Sequence, residues 1–327
     1  PEPQPQAATA PAARPPQRSG TAPRDNIQKV KGLFSWMQNE AENIVEFWKF
    51  WVDSTAVHDA LEPDQSVSYT VVISGNTDKL SWRVFGSQAA LTQSMVEFFW
   101  NVGAPDEEIN LLNQLGCKIN PLEIGSWIDT SVMNGMDGGW FFRQTLPIDL
   151  INETADRCDY ATQLLEWARK SGLNEVCQLG RDMGATPPRQ AEFRFRLEGD
   201  LNARLALVKD AFATFNKPEI PANILNILTA LPASCAFFFF SVIVSTDAIV
   251  KLSVLVPDPG EATAMELLRC MEDVNENHIE FHRKVMDTLS DLPAFAEYTY
   301  LSPGFGYDVY KEGHDVLIHY NLGTDTA

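Results

Sequence analysis

Cysteine is scarce in this 327-residue chain: Cys117, Cys158, Cys177, Cys235 and Cys270 lie far apart, with no Cys-x-x-Cys pair. An odd, scattered set argues against a disulfide framework and a structural zinc site, and it fits a reduced, cytoplasmic setting. Positive charge is short too. Lys plus Arg is 25 against 44 Asp plus Glu, a formal net charge of −19. No basic excess is available to release counterions, so neither nucleic acid nor an anionic membrane surface is an expected partner. The longest apolar run, 236–244, is too short to cross a bilayer, and no basic start with an apolar stretch marks a secretory signal. Walker A, dinucleotide and nucleophile-elbow motifs are missing, as is the Asp-Asp-x-x-Asp magnesium–diphosphate signature. No cofactor and no metal are expected.

What is present is a large apolar fraction, 45%, with 10% aromatics, enough for a sizeable core. Residues 1–24 hold seven of the 20 prolines and read as a disordered tail of charge +2, which leaves −21 for the rest. From residue 25 to 327 a single domain is expected. A helix is expected over 25–52, where apolar residues recur near the 3.6 period.

Beyond it the chain alternates hairpins and helices. Strands are expected at 67–74 and 79–85 around Gly75-Asn76, at 124–132 and 139–145 around Asn134-Gly135, and at 176–179 and 190–197. Further strands are expected at 235–244 and 249–256 around Thr246-Asp247, and at 298–301 and 308–320. Helices are expected at 89–102, 105–115, 148–171, 202–215, 222–231 and 261–289. Helix, two strands, helix, repeated about five times, predicts an α+β fold: a ten-stranded antiparallel β-barrel surrounded by helices. Closure on ten strands leaves an interior wide enough for a ligand.

Period-2 alternation divides the strand faces. Leu80, Trp82 and Val84 oppose Ser81, Arg83 and Phe85; Ala191, Phe193 and Phe195 oppose Glu192, Arg194 and Arg196; Val250, Leu252 and Val254 oppose Lys251 and Ser253. In a helix-wrapped barrel the apolar face meets helices, so the cationic face looks inward, where cations need an anion, water or a carboxylate. On a one-sided sheet the same residues simply face solvent. Arg83, Arg194, Lys251 and Lys311 are candidates to hold a diphosphate, because arginine forks and lysine point charges suit phosphate oxygens. Ser81, Phe85, Trp140, Phe142, Ser241, Ser253 and Tyr310 are the candidate pocket lining, its aromatic faces suited to an allylic cation.

Residues 78–85 (Asp-Lys-Leu-Ser-Trp-Arg-Val-Phe), 165–173 (Leu-Glu-Trp-Ala-Arg-Lys-Ser-Gly-Leu) and 248–252 (Ala-Ile-Val-Lys-Leu), with their order and spacing, resemble the ABBA aromatic prenyltransferases and their PT-barrel fold. The likeness spans 67–321 and is greatest to soluble, magnesium-independent enzymes that prenylate small phenols. It implies transfer of an allylic isoprenoid from its diphosphate to a small aromatic acceptor by electrophilic aromatic substitution. By position, Arg83 matches the arginine of magnesium-independent members, with Ser81 where magnesium-dependent ones place an aspartate nearby. Lys251 and Lys311 match basic residues of the eighth strand and the last hairpin. Glu192 is the candidate proton acceptor, against a lumenal salt bridge to Arg194 or Arg196. Gly138, Pro188 and Ile243 stand where the family carries lysines and tyrosine. These departures motivate an alternative: a divergent barrel that binds or cyclises a terpenoid or aromatic molecule without prenyl transfer. The implied partners are an allylic diphosphate and an aromatic acceptor, and a monomer is expected.

His278 and His282, at i, i+4, are expected on exposed helix surface rather than at a metal, Gly304-Phe305-Gly306 as a turn, and 156–159 as a solvated helix face. The Asn152-Glu153-Thr154 sequon is expected to go unused.

Overall fold

The computed structural model describes residues 67–74, 79–86, 96, 99–100, 104–119, 124–129, 137–183, 189–271, 274, 276–291, 300–310 and 312–324. The expected tail, the 25–52 helix, Lys311 and Pro188 lie outside these.

Ten strands alternate with helices: β1 Val67–Ser74, β2 Lys79–Gly86, α1 Asp106–Ile119, β3 Ile124–Asp129, β4 Asp137–Pro147, α2 Ile151–Thr154, α3 Asp159–Lys170, β5 Glu175–Asp182, β6 Ala191–Leu197, α4 Leu201–Thr214, α5 Ala222–Thr229, β7 Phe238–Val244, β8 Ile249–Leu255, α6 Glu261–Arg269, α7 Glu276–Asp291, β9 Tyr300–Asp308 and β10 Gly313–Thr324. Every pairing is antiparallel, and the ring runs β1-β10-β9-β8-β7-β6-β5-β4-β3-β2 and closes on β1.

Cross-strand partners share a face. Phe195, Phe240, Val254, Phe305 and Val316 follow one another across β6 to β10, all buried. Trp167 of α3 meets this row, with ring centroids 5.8 Å from Phe195 and 5.6 Å from Phe240. The row therefore faces the helices, and the core lies between barrel and helix layer. α3 forms because Ala161, Leu164, Leu165, Trp167 and Ala168 recur at helical spacing on its buried face. Trp167 Nε1 donates to Asp210 of α4 (3.0 Å), so two helices and two strands are tied at one point.

Four expectations change. The 148–171 helix is broken: Ala155 is extended (ψ 149°) and Cys158 is the N-cap of α3, leaving Asp156 in the gap, where it accepts from Arg181. The 261–289 helix is interrupted between Arg269 and Glu276. Gly304-Phe305-Gly306 is strand, inside β9. A Cβ at Gly304 would stand 1.9 Å from the Val254 carbonyl oxygen, and one at Gly306 2.6 Å from that of Leu252. The glycines permit close strand approach, and the turn falls at Val309 and Tyr310. His282 is fully buried rather than on exposed surface, and no cluster of metal-ligating side chains occurs among the described residues. Within the sequon Thr154 is fully buried, Asn152 half-buried and Glu153 exposed. No helix among the described residues is long and apolar enough to cross a membrane.

Candidate functional site

The rows that alternate with the helix-facing ones line the lumen. One runs Gln178, Arg194, Ser241, Ser253, Gly306 and Asp315 across β5 to β10, each the register partner of the next. The neighbouring row holds Gly180, Glu192, Ile243, Lys251 and Asp308. Apart from Gly180, Ile243 and Gly306 these are polar positions, on strands whose other positions are largely Phe, Val and Leu. The helix layer takes the apolar set and leaves the polar set inside.

Two acid–base pairs are seen in this wall. Arg194 Nη2 donates to Glu192 Oε1 (2.9 Å), and Ser241 Oγ donates to the same oxygen (2.6 Å). Lys251 Nζ lies 3.7 Å from Asp315 Oδ2, with both side chains mostly buried. Arg194 Cζ stands 5.9 Å from the Phe239 ring centroid. Arg196, further along β6, is half exposed, pairs with Glu198 (2.9 Å) and lies 4.0 Å over Phe237. Burial pushes the thiol of Cys177 up, against the pull of Arg194 and Arg143. With its carboxylate held by a guanidinium and a hydroxyl, Glu192 occupies the salt bridge weighed against its role as proton acceptor.

The expected site residues distribute unevenly. Arg194, Ser241, Ser253, Lys251 and Glu192 share the lumen wall. Arg83, Ser81 and Phe85 occupy the corresponding row of β2, where Arg83 stands opposite Thr70 and Trp127. Trp140 and Phe142 do not reach the lumen. Phe142 pairs with Leu179, itself opposite Phe193, and Trp140 pairs with Arg181, so both belong to the helix-facing row and are fully buried there. The inward residues of β4 are Gly139, Phe141 and Arg143. Tyr310 lies in the β9–β10 turn, 55% exposed, and lines nothing. Gly138 also faces outward, paired with Ile128, so its missing charge is not a loss to the lumen. Gln178, Phe141, Ser302 and Asp315 are lumenal residues that the sequence reading passed over. For Phe141 the signal was Arg143 two positions on, a cation that fixes the inward face of β4.

Outside the barrel wall a second polar cluster joins β5 to α1. Arg181 Nε donates to Glu108 Oε2 (2.6 Å), Nη2 to Glu108 Oε1 and Asp156 Oδ1 (3.0 Å each), and Nη1 to the Thr154 carbonyl (2.7 Å). Burial opposes the Arg181 charge, and the two carboxylates more than offset it, holding the guanidinium above its ordinary pKa. Two clefts, of about 490 and 460 Å³, flank this cluster.

No protein-family model matches the chain. It is 40% identical over 317 residues to a PH domain-containing protein of Dictyostelium discoideum, covering 96% of this chain and 68% of the relative. Among solved structures it is similar to 5-dimethylallyltryptophan synthase from Streptomyces coelicolor, with TM-score 0.58, 9% identity, and coverage of 89% of this chain and 95% of that one. It is also similar to the prenyltransferase PriB in its ternary complex with L-tryptophan and dimethylallyl thiolodiphosphate, with TM-score 0.55, 12% identity, and coverage of 89% and 93%. The fold is the PT barrel of the ABBA-type aromatic prenyltransferases.

Proposed function

We propose, for a chain that belongs to the same family as the Dictyostelium discoideum protein and folds as a PT barrel, transfer of an allylic isoprenoid from its diphosphate to a small aromatic acceptor within the lumen, without magnesium. The observation that carries this reading is the inward polar wall, where Lys251 and Arg194 stand among serines on strands otherwise apolar. In this reading Arg83, Arg194, Lys251 and Lys311 take the diphosphate and oppose the charge that develops on it as the allylic carbon–oxygen bond breaks. The closed wall keeps bulk water from the cation, and the acceptor is attacked because it is held beside that carbon. The ring then loses its proton to Glu192 or to water. The working unit is residues 25–327 as one domain, acting as a monomer on small molecules.

A second reading draws on a specific observation: Arg194 already faces Glu192, and Lys251 already faces Asp315. Cations so paired offer less net charge to a polyanion, as suits a barrel that binds or cyclises a terpenoid or aromatic molecule without prenyl transfer. Calorimetric titration with dimethylallyl thiolodiphosphate in EDTA separates the two. The first predicts binding that Lys251→Ala and Arg83→Ala each weaken at least tenfold with little change in the urea midpoint. It also predicts turnover of dimethylallyl or geranyl diphosphate with a phenol or indole in EDTA. Silence toward every allylic diphosphate tried would leave only the second.

A further inference from the structure

Two neighbouring donors in the lumen have no acceptor. Gln178 is 3% exposed and its Nε2 makes no hydrogen bond; Arg194 is 8% exposed and its Nε makes none. They are direct register partners across β5 and β6, a relation that places Cβ atoms about 4.5–5.5 Å apart, within reach of one common atom. Buried donors left unmet are costly, and a pair of them on the inner wall marks a place where an acceptor atom belongs. The Arg194 charge is already engaged, because its Nη2 donates to the Glu192 carboxylate, which Ser241 holds from the other side. The complementary atom is therefore a single oxygen, neutral or carrying one partial charge, rather than the many oxygens of a diphosphate.

We propose that Gln178 and Arg194 form the acceptor subsite: Gln178 Nε2 and Arg194 Nε donate together to one exocyclic oxygen of the aromatic acceptor, which sets a preference for a phenol over an indole. This rests on the proposed function, and it takes Arg194 from the diphosphate and gives it to the acceptor. Indole offers an N–H donor and no oxygen, so it would leave both donors unmet. A site built to hydrogen-bond a substrate oxygen discriminates strongly against an analogue without one.

The test is calorimetric titration of the full chain, with no diphosphate present, using 2-naphthol and indole as probes. The wild-type chain is expected to bind 2-naphthol at least tenfold more tightly than indole. Gln178→Leu should lower 2-naphthol affinity at least tenfold while moving indole less than threefold. Arg194→Lys keeps a charge opposite Glu192 and removes the Nε donor, so it should do the same if the leucine variant does not fold. Urea midpoints are measured alongside. Equal binding of the two probes, binding of neither, or variants that leave their ratio unchanged would overturn the proposal. Because no diphosphate is used, the outcomes separate. A preserved ratio with no binding of dimethylallyl thiolodiphosphate removes only the transfer reading, and a lost ratio with intact prenyl transfer removes only the subsite.

Discussion

Single side chains decide both the clamp on the outside of the barrel and the frame of its strands. Arg181 and Glu108 lie 73 residues apart in sequence, and both are almost wholly buried. Glu108 also accepts from Arg189 Nη1 (2.6 Å). Removing Arg181 therefore leaves it one partner, and the loss falls short of the cost of a fully stranded buried charge, about 3–5 kcal/mol, whereas replacing both members is often far milder. Arg181→Met should lose about 1–3 kcal/mol in urea denaturation, and Arg181→Met with Glu108→Gln should recover part of it, since Arg189 keeps Glu107. An equal loss in single and double variants would mean that the pair does not act as a unit. Nothing local in the sequence announces this contact, since neither residue carries a pattern that names its partner. The inward wall was different. Glu192, Arg194, Lys251, Ser241 and Ser253 each alternate with large apolar residues, so their face could be read directly. β4 reads Trp-Phe-Phe over 140–142, apolar on both faces, so alternation gives no frame there: the aromatic chemistry of Trp140 and Phe142 suits a lumen, while their parity puts them on the helix side.

At the scale of elements, the hairpins at β1–β2 and β7–β8 were legible because Gly-Asn and Thr-Asp pairs sit between β-rich runs. β9 was not, because Ser-Pro-Gly-Phe-Gly over 302–306 has the composition of a turn. Pairing with β8 and β10 overrides that composition, and the glycines serve contact distance rather than bending. An added Cβ at Gly304 would meet backbone, the Val254 carbonyl oxygen, which cannot rotate away as a side chain can. Gly304→Ala should push β8 and β9 apart at the Leu255 end of their ladder and destabilise by about 1–3 kcal/mol, as overpacked sites do. A thermal melt reads this as a fall of several degrees; an unchanged melting temperature would show that the two strands slide without cost. The breaks in the two long helices escaped the sequence reading for a related reason. Their apolar period continues through the gaps, and it is Asp156 turning toward Arg181 that takes the first break out of the helix.

Across the whole molecule the charge is sorted by depth. The chain carries −19, yet in the described lumen wall Arg194 and Lys251 each sit opposite an acid. Acids outside that wall, Glu107, Asp149 and Glu198 among them, are mostly exposed, where they favour solubility. Two histidines, His282 buried on α7 and His314 where β10 meets α4, give the fold a pH dependence. Burial lowers the pKa of His282 on α7, where Glu261 pulls it up and Arg283 pushes it down. Burial also lowers that of His314 on β10, which packs against the Phe212 and Tyr307 rings and hydrogen-bonds the Pro218 backbone. In the unfolded chain both titrate near the ordinary value of 6.5. As the pH falls through that value the unfolded chain takes up protons that the folded chain refuses. Unfolding is then favoured by acid, and the stability these groups contribute is full above about pH 7.5 and lost as the pH drops through 6.5 toward their folded values. The urea midpoint should fall between pH 7.5 and pH 5.5. The fall should be smaller in a His282→Gln, His314→Gln double variant, which has nothing left to protonate at either place. If the double variant loses as much as the wild-type chain over that interval, the carboxylates of the surface and the lumen, and not these two histidines, set the acid limit of the barrel.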